Sequence, residues 1–162
     1  MTENQAKDLS QKGWDIFMSL ADKHSKRIER EDPIKKFTEI IDTLITQGRV
    51  KIENKDISMD KTLGGVNSEL IGWYDDLYFY FMPQALWHSL QEYCIKEGMH
   101  FPVKKHTFYE MIEKRGLIAD KDKGKHVKTE WIKGASKKVL KTYRQGICQI
   151  GVMEVMKEEN AL

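Results

Sequence analysis

Apolar positions recur along the chain at two periods, and the switches between them mark its elements. From Gln5 to Ile28, the residues Leu9, Trp14, Ile16, Phe17, Leu20, Ala21, His24 and Ile28 fall mostly on one stripe, with charges between them. That spacing predicts an amphipathic helix. The charged SKRIERED that follows reads as a connector. Asp32-Pro33 then opens a second helix, because Asp caps well and Pro at the first helical position gives up no needed N–H. Its apolar residues Ile34, Phe37, Ile41, Leu44 and Ile45 repeat at three and four, and Gly48 stands where a helix-terminating glycine would.

The period then shortens. Arg49 to Glu53 alternates as a short strand, and 54–68 is polar and glycine-bearing, hence a loop. Between Leu70 and Met82 the aromatic density favours extended structure, with Asp75-Asp76 as a turn between two short pieces. Pro83 opens a third helix over 84–97, with Leu86, Trp87, Leu90, Tyr93 and Cys94 inward. After the link MHFPV, a fourth helix covers 104–115, with Phe108, Met111 and Ile112 inward and Gly116 as its stop. Leu117 to Ala119 is expected as a strand, DKDKGK as a flexible tip, and His126 to Ile132 as the returning strand. A turn at 134–136 and a third strand over 137–143 follow. From Gln145 onward, Ile147, Ile150, Met153 and Met156 keep a helical spacing despite Gly146 and Gly151. There is no internal repeat.

This order predicts an α+β, mainly helical fold: a winged helix-turn-helix domain (32–144), preceded by a helical arm and connector (1–31) and followed by a C-terminal tail (145–162). Two helices joined by a few residues can set the second in a major groove, and a hairpin tip can reach an adjacent groove or phosphates.

Composition adds a charge division. The 162 residues carry 27 Lys+Arg and 25 Asp+Glu, yet residues 98–144 hold 13 basic and 5 acidic side chains, net +8. The first 97 residues are net −4 and the last 18 net −2. Such unequal blocks point to a polyanion partner for the middle segment alone, against the plainer reading of a solvated Lys-rich surface. Lys104, Lys105, His106, Thr107 and Tyr109 lie at the start of the expected recognition helix, Lys114 and Arg115 at its end, and Lys121, Lys123, Lys125 and Lys128 on the expected wing. These eleven are the candidate DNA-binding residues. Lys105, His106 and Tyr109 read equally as base-contacting or as the solvent face of a helix. Glu110 and Glu113 on that helix oppose close phosphate approach, which suits weak, shape-tolerant contact.

Other chemistry is poorly represented. The two cysteines, Cys94 and Cys148, form neither a disulfide framework nor a zinc spacing; Cys94 reads as a small buried hydrophobe. Gly124-Lys125-His126 lacks the earlier glycine and the following Ser or Thr of a phosphate-binding loop. His88 reads as a surface or hydrogen-bonded histidine. No HExxH, paired CxxC or GxSxG is present. The expectation is a chain that is not itself an enzyme, with no catalytic residues, no metal site, no cofactor and no small-molecule ligand. With no apolar run near 20 residues and no signal-peptide core at the N-terminus, a cytoplasmic protein without membrane contact is expected.

Three stretches carry a family resemblance: DPIKKFTEIIDTLITQGRV (32–50), GWYDDLYFYFMPQALWHSLQEYC (72–94) and GMHFPVKKHTFYEMIEKRGLI (98–118). Together they resemble the C-terminal region of MCM-like AAA+ self-loading replicative helicases and helicase-primase proteins of bacterial mobile elements, staphylococcal cassettes among them, and phages. The resemblance covers roughly residues 30–144. It implies a winged-helix domain appended to a hexameric DNA motor. In it, Thr107 matches the polar position at the turn into the recognition helix, Lys104, Lys105 and the Lys121–Lys128 segment match the basic character, and Gly116-Leu117 matches the helix stop before the wing. The chain departs from the family in having no Walker A, no Walker B aspartate in context and no arginine finger, so ATP hydrolysis by that route is not expected of it, whether it is an excised piece of a parent helicase or a separately encoded relative lacking the motor.

The expected function is therefore that of a DNA-binding accessory domain in mobile-element DNA replication, contacting duplex or forked DNA through its backbone. The 1–30 helix and the acidic 31–70 region would face the helicase motor or neighbouring subunits. A protein-interaction module regulating the motor, and a stand-alone transcription regulator dimerising through its first helix, are the alternatives.

Overall fold

The computed structural model describes residues 2–30, 32–56, 62–63 and 67–150. The chain divides into two units, 1–32 and 33–162. The first is a single helix, α1 (Glu3–Arg30), with ion pairs Glu3–Lys7 and Asp8–Lys12 at the i, i+4 spacing that stabilises exposed helices. Leu9, Trp14, Ile16, Phe17, Met18 and Leu20 are 50–62% exposed.

The second unit is α+β. Helix α2 (Pro33–Thr46) begins at the expected proline, and Ile34, Phe37, Ile41 and Leu44 are almost wholly buried. Strands β1 (Val50–Asn54) and β2 (Thr62–Leu63) follow, the second of them inside the stretch expected to be loop. Next come β3 (Glu69–Tyr74), β4 (Tyr78–Phe81), α3 (Pro83–Lys96) and α4 (Lys105–Lys114). The unit continues through β5 (Ile118–Asp120), β6 (Lys128–Ile132), β7 (Ala135–Tyr143) and α5 (Arg144–Ile150). Strand order is β2-β1-β3-β4-β7-β5, with β6 also on β7; β1 runs parallel to β3 and every other pair is antiparallel.

The β3–β4 turn is held by one carboxylate. The N–H groups of Leu77 and Tyr78 donate to Asp75 Oδ1 at 2.9 and 2.7 Å, and the Tyr80 hydroxyl donates to Oδ2 at 2.6 Å. Burial raises the Asp75 pKa, but these three hydrogen bonds and nearby Lys55 outweigh it and hold the carboxyl below its ordinary range. Opposite, Gly72 pairs with Phe81, and a Cβ there would collide with the Tyr80 carbonyl oxygen, so no other residue fits without moving β4.

Alternation in β4 sorts its aromatics to two faces. Phe79 and Phe81 enter the main core with Phe37, Leu86, Leu90, Phe108, Ile112 and Leu140. Tyr80 enters a smaller cluster with Trp73, Ile132 and Val139. Ile147 of α5 is buried in the main core, so the start of the expected tail packs; Met153 and Met156 lie outside the described residues.

The hairpin differs from expectation. Segments 118–120 and 128–132 do not form its two arms. Both pair with β7, in running order: Ile118 with Thr142, Asp120 with Lys141, Lys128 with Val139, Ile132 with Ala135. The DKDKGK segment is an excursion between two parts of one edge, and the hairpin turn is Lys133-Gly134. Both turn residues have positive φ, 47° and 81°, the two-residue turn whose twist suits antiparallel strands. The hairpin also lies across the sheet. Ile132 and Val139 pack on Trp73 and Tyr80, and Lys133 Nζ reaches Glu53 of β1 at 3.1 Å.

Candidate nucleic-acid interface

Helix α4 presents little of the cationic surface expected of it. Phe108 and Ile112 are fully buried, with the Phe108 ring tilted against Phe37 and Trp87 and edge-on to Phe101. Tyr109, a candidate contact residue, is a core residue instead: it is 6% exposed, its hydroxyl points to the Pro83 carbonyl, and burial pushes its pKa up to about 12. The helical period explains this, since 105, 108, 109 and 112 share one face. Lys105 lies half-buried over the Tyr109 ring at 6.0 Å. What remains outward is His106, Thr107, Glu110, Lys114 and the half-buried Glu113, with His106 Nε2 3.3 Å from Glu110. Lys104 precedes the first turn as an exposed N-cap residue and makes no side-chain cap bond. Arg115 is exposed just beyond the last turn.

The 121–127 loop joins β5 to β6. Lys121 Nζ pairs closely with Glu113, and His126 Nδ1 is 3.0 Å from the same carboxylate. The His126 ring lies 5.5 Å from that of His106 and 6.1 Å from that of Tyr109. At the loop's other end, Asp122 Oδ2 accepts from the Thr129 N–H and hydroxyl at 3.1 and 3.0 Å. The loop closes on itself where the Asp122 N–H donates to the Val127 carbonyl at 2.8 Å. It is a structured bridge rather than a free tip.

These contacts divide the candidate cations. Lys121 is engaged by Glu113, and Lys128 lies 3.2 Å from Asp120 and 3.7 Å from Asp122, which holds the Asp120 carboxyl below its usual range. Lys141 pairs with Glu130 at 3.0 Å over the Tyr78 ring. All five acidic side chains of 98–144 thus have a cationic or histidine partner within the segment. By contrast, Lys104, Lys114, Lys123, Lys125, Lys137 and Lys138 are exposed and form no ion pair among the described residues. Lys137 and Lys138 were not among the sequence candidates. Their signal was the alternation of β7, but they open the strand expected over 137–143, outside the expected tip at DKDKGK.

Beside Lys138 on the hairpin stands Trp131, 69% exposed. Cross-strand partners share a face, and the register pairs Trp131 with Ser136 and Thr129 with Lys138. The outer face of the hairpin therefore carries Thr129, Trp131, Ser136 and Lys138, while Ile132 and Val139 face the sheet.

Cys94 is buried and Cys148 partly so; burial raises both thiols, so neither is an activated nucleophile. His88 is exposed on α3. Among the described residues no group of three His, Cys, Asp or Glu is placed to hold a metal ion, and no helix is long and apolar enough to cross a membrane. No protein-family model matches the chain, and no curated protein matches it in sequence.

Proposed function

We propose that residues 33–150 form a winged helix-turn-helix module that binds DNA through its phosphate backbone, serving as an accessory domain of a mobile-element replicative helicase. The order α2, a strand run β1–β4, α3, α4, then β5, β6 and β7 supports the winged-helix reading in its α3–α4–hairpin part. The helicase context rests on the sequence resemblance alone. One observation carries the binding reading: the acids of the basic segment have internal partners, and six exposed lysines that form no ion pair among the described residues remain on the helix ends, the loop and the hairpin.

The mechanism is electrostatic. Each lysine that neutralises a phosphate releases condensed counterions, so affinity falls steeply with salt. Lys104 adds its charge to the uncapped first turn of α4, whose N–H groups favour an anion. Glu110 and Glu113 on the outward side of α4 disfavour deep insertion of that helix, so the module grips shape and charge rather than sequence.

The outward carboxylates of α4 and the exposed apolar residues of α1 favour a second reading, a module that docks on the helicase motor. Fluorescence anisotropy of a labelled 25-base-pair duplex across a salt series separates the two. DNA binding predicts a log–log slope of about −3 to −5, from roughly four or five phosphates. Absence of binding at low salt assigns the lysines to a protein partner.

A further inference from the structure

Among the described residues Trp131 belongs to neither core cluster and stands 69% exposed. Ile132, next to it in the strand, and Val139 of the partner strand are buried under the hairpin, while the indole stands on the opposite face. The residues that share that face are Thr129, Ser136 and Lys138, all polar and all exposed. A protein-docking hot spot sits in a contiguous apolar patch that excludes water, and this face has none. An isolated indole with a lysine diagonally across the strand pair suits another occupant, a nucleic-acid base whose phosphate the lysine neutralises.

Two further features agree. The Asp122–Thr129 bonds place the loop of Lys123 and Lys125 against the strand position opposite Lys138, so phosphates following the stacked base would meet more cations. The hairpin is also braced, by Lys133–Glu53 at its turn and by Ile132 and Val139 against Trp73 and Tyr80. A braced platform loses little freedom when a base stacks on it.

Paired bases inside a duplex offer no free face to an indole. We infer that Trp131 stacks on an unpaired base, so the surface of Lys123, Lys125, Lys138 and Trp131 takes a single strand where it leaves a duplex. This rests on the DNA-binding reading and narrows its substrate from duplex to junction.

The test is anisotropy with three labelled probes: a 25-base-pair duplex, the same duplex with a ten-nucleotide oligo-dT 3′ overhang, and the same duplex with the overhang on the 5′ end. Wild-type protein is expected to bind at least one overhang probe about tenfold more tightly than the blunt duplex. Trp131→Ala should abolish that preference and leave blunt-duplex affinity within about twofold, because stacking of one base is the only contact removed. Trp131→Tyr, which keeps an aromatic face, should restore most of the preference. The residue is exposed, so all three proteins should melt at the same temperature. Equal binding of the three probes by wild type, or an unchanged preference in Trp131→Ala, overturns the junction inference and leaves duplex binding intact. A loss of blunt-duplex binding equal to that of the overhang probes overturns it too, by making Trp131 a general contact. Failure of every probe to bind at low salt removes the DNA-binding reading itself.

Discussion

Helix α4 and the segment that follows it share one block of positive charge but place it differently. On α4, the side chains that face outward include Glu110 and Glu113, and Tyr109 turns into the core. On the loop and hairpin, Asp120, Asp122 and Glu130 are drawn into pairs with Lys128 and Lys141, leaving Lys123, Lys125, Lys137 and Lys138 with no ion pair among the described residues. The lesson is that local net charge does not locate a polyanion surface. What locates it is which cations lack an acidic neighbour within about 4 Å, since a carboxylate there offsets most of what the lysine offers a phosphate.

The contrast breaks most sharply through stability. Phe108 is fully buried among three aromatic rings, so Phe108→Ala should cost about 3–5 kcal/mol in chemical denaturation. A cost under about 1 kcal/mol would mean that α4 is not anchored in this phase and that its outward face is wrongly assigned.

Next in size is the turn carboxylate that positions β4 and, through Tyr80, the floor under the hairpin. Asp75→Asn should destabilise by about 1.5–3 kcal/mol at pH 7, the range for hydrogen bonds to a charged group. Its pKa is depressed in the folded state, so its contribution is complete above the ordinary Asp pKa of about 4 and is lost as pH falls through the lower folded value. Urea titrations should show the gap between wild type and Asp75→Asn closing on acidification; a gap that widens would reverse the assigned sign.

Binding then distinguishes the two regions directly. Replacing Lys123, Lys125 and Lys138 with Glu should weaken DNA affinity at least tenfold, about 1.4 kcal/mol, without lowering the melting temperature, because all three are exposed. Replacing Lys121 and Lys128 with Ser should weaken it by less than about threefold, since both already face carboxylates. The smallest effect is expected from Glu113→Gln, which frees Lys121 and should tighten binding about twofold at low salt, an increase that anisotropy resolves.

Much of the frame was legible in residue patterns. Asp32-Pro33, the three and four spacing of α2, the Asp75-Asp76 turn and the Pro83 start all act within a few residues of themselves, and the structure has them within one or two positions. The hairpin was not legible in the same way. Gly124 in a Lys-rich run looks like a tip, but Asp122 fixes that run by bonding seven residues ahead to Thr129, and the actual turn needs Lys133 in a left-handed conformation that its side chain does not advertise. Tyr109 was misplaced for a related reason: its helical phase was evident, but the core it enters is completed by α3 through Pro83. Trp131 carried no periodic signal, and only the register with β7 sets it on the outer face.

The most direct test of the central claim, that the loop and hairpin supply more of the phosphate contacts than α4 does, is the salt slope of DNA binding compared between wild type and the Lys123, Lys125 and Lys138→Glu variant. The account predicts a slope shallower by about 2 to 3, one unit per lost phosphate contact. An unchanged slope, with affinity reduced or not, would contradict it and return the contact surface to the helix.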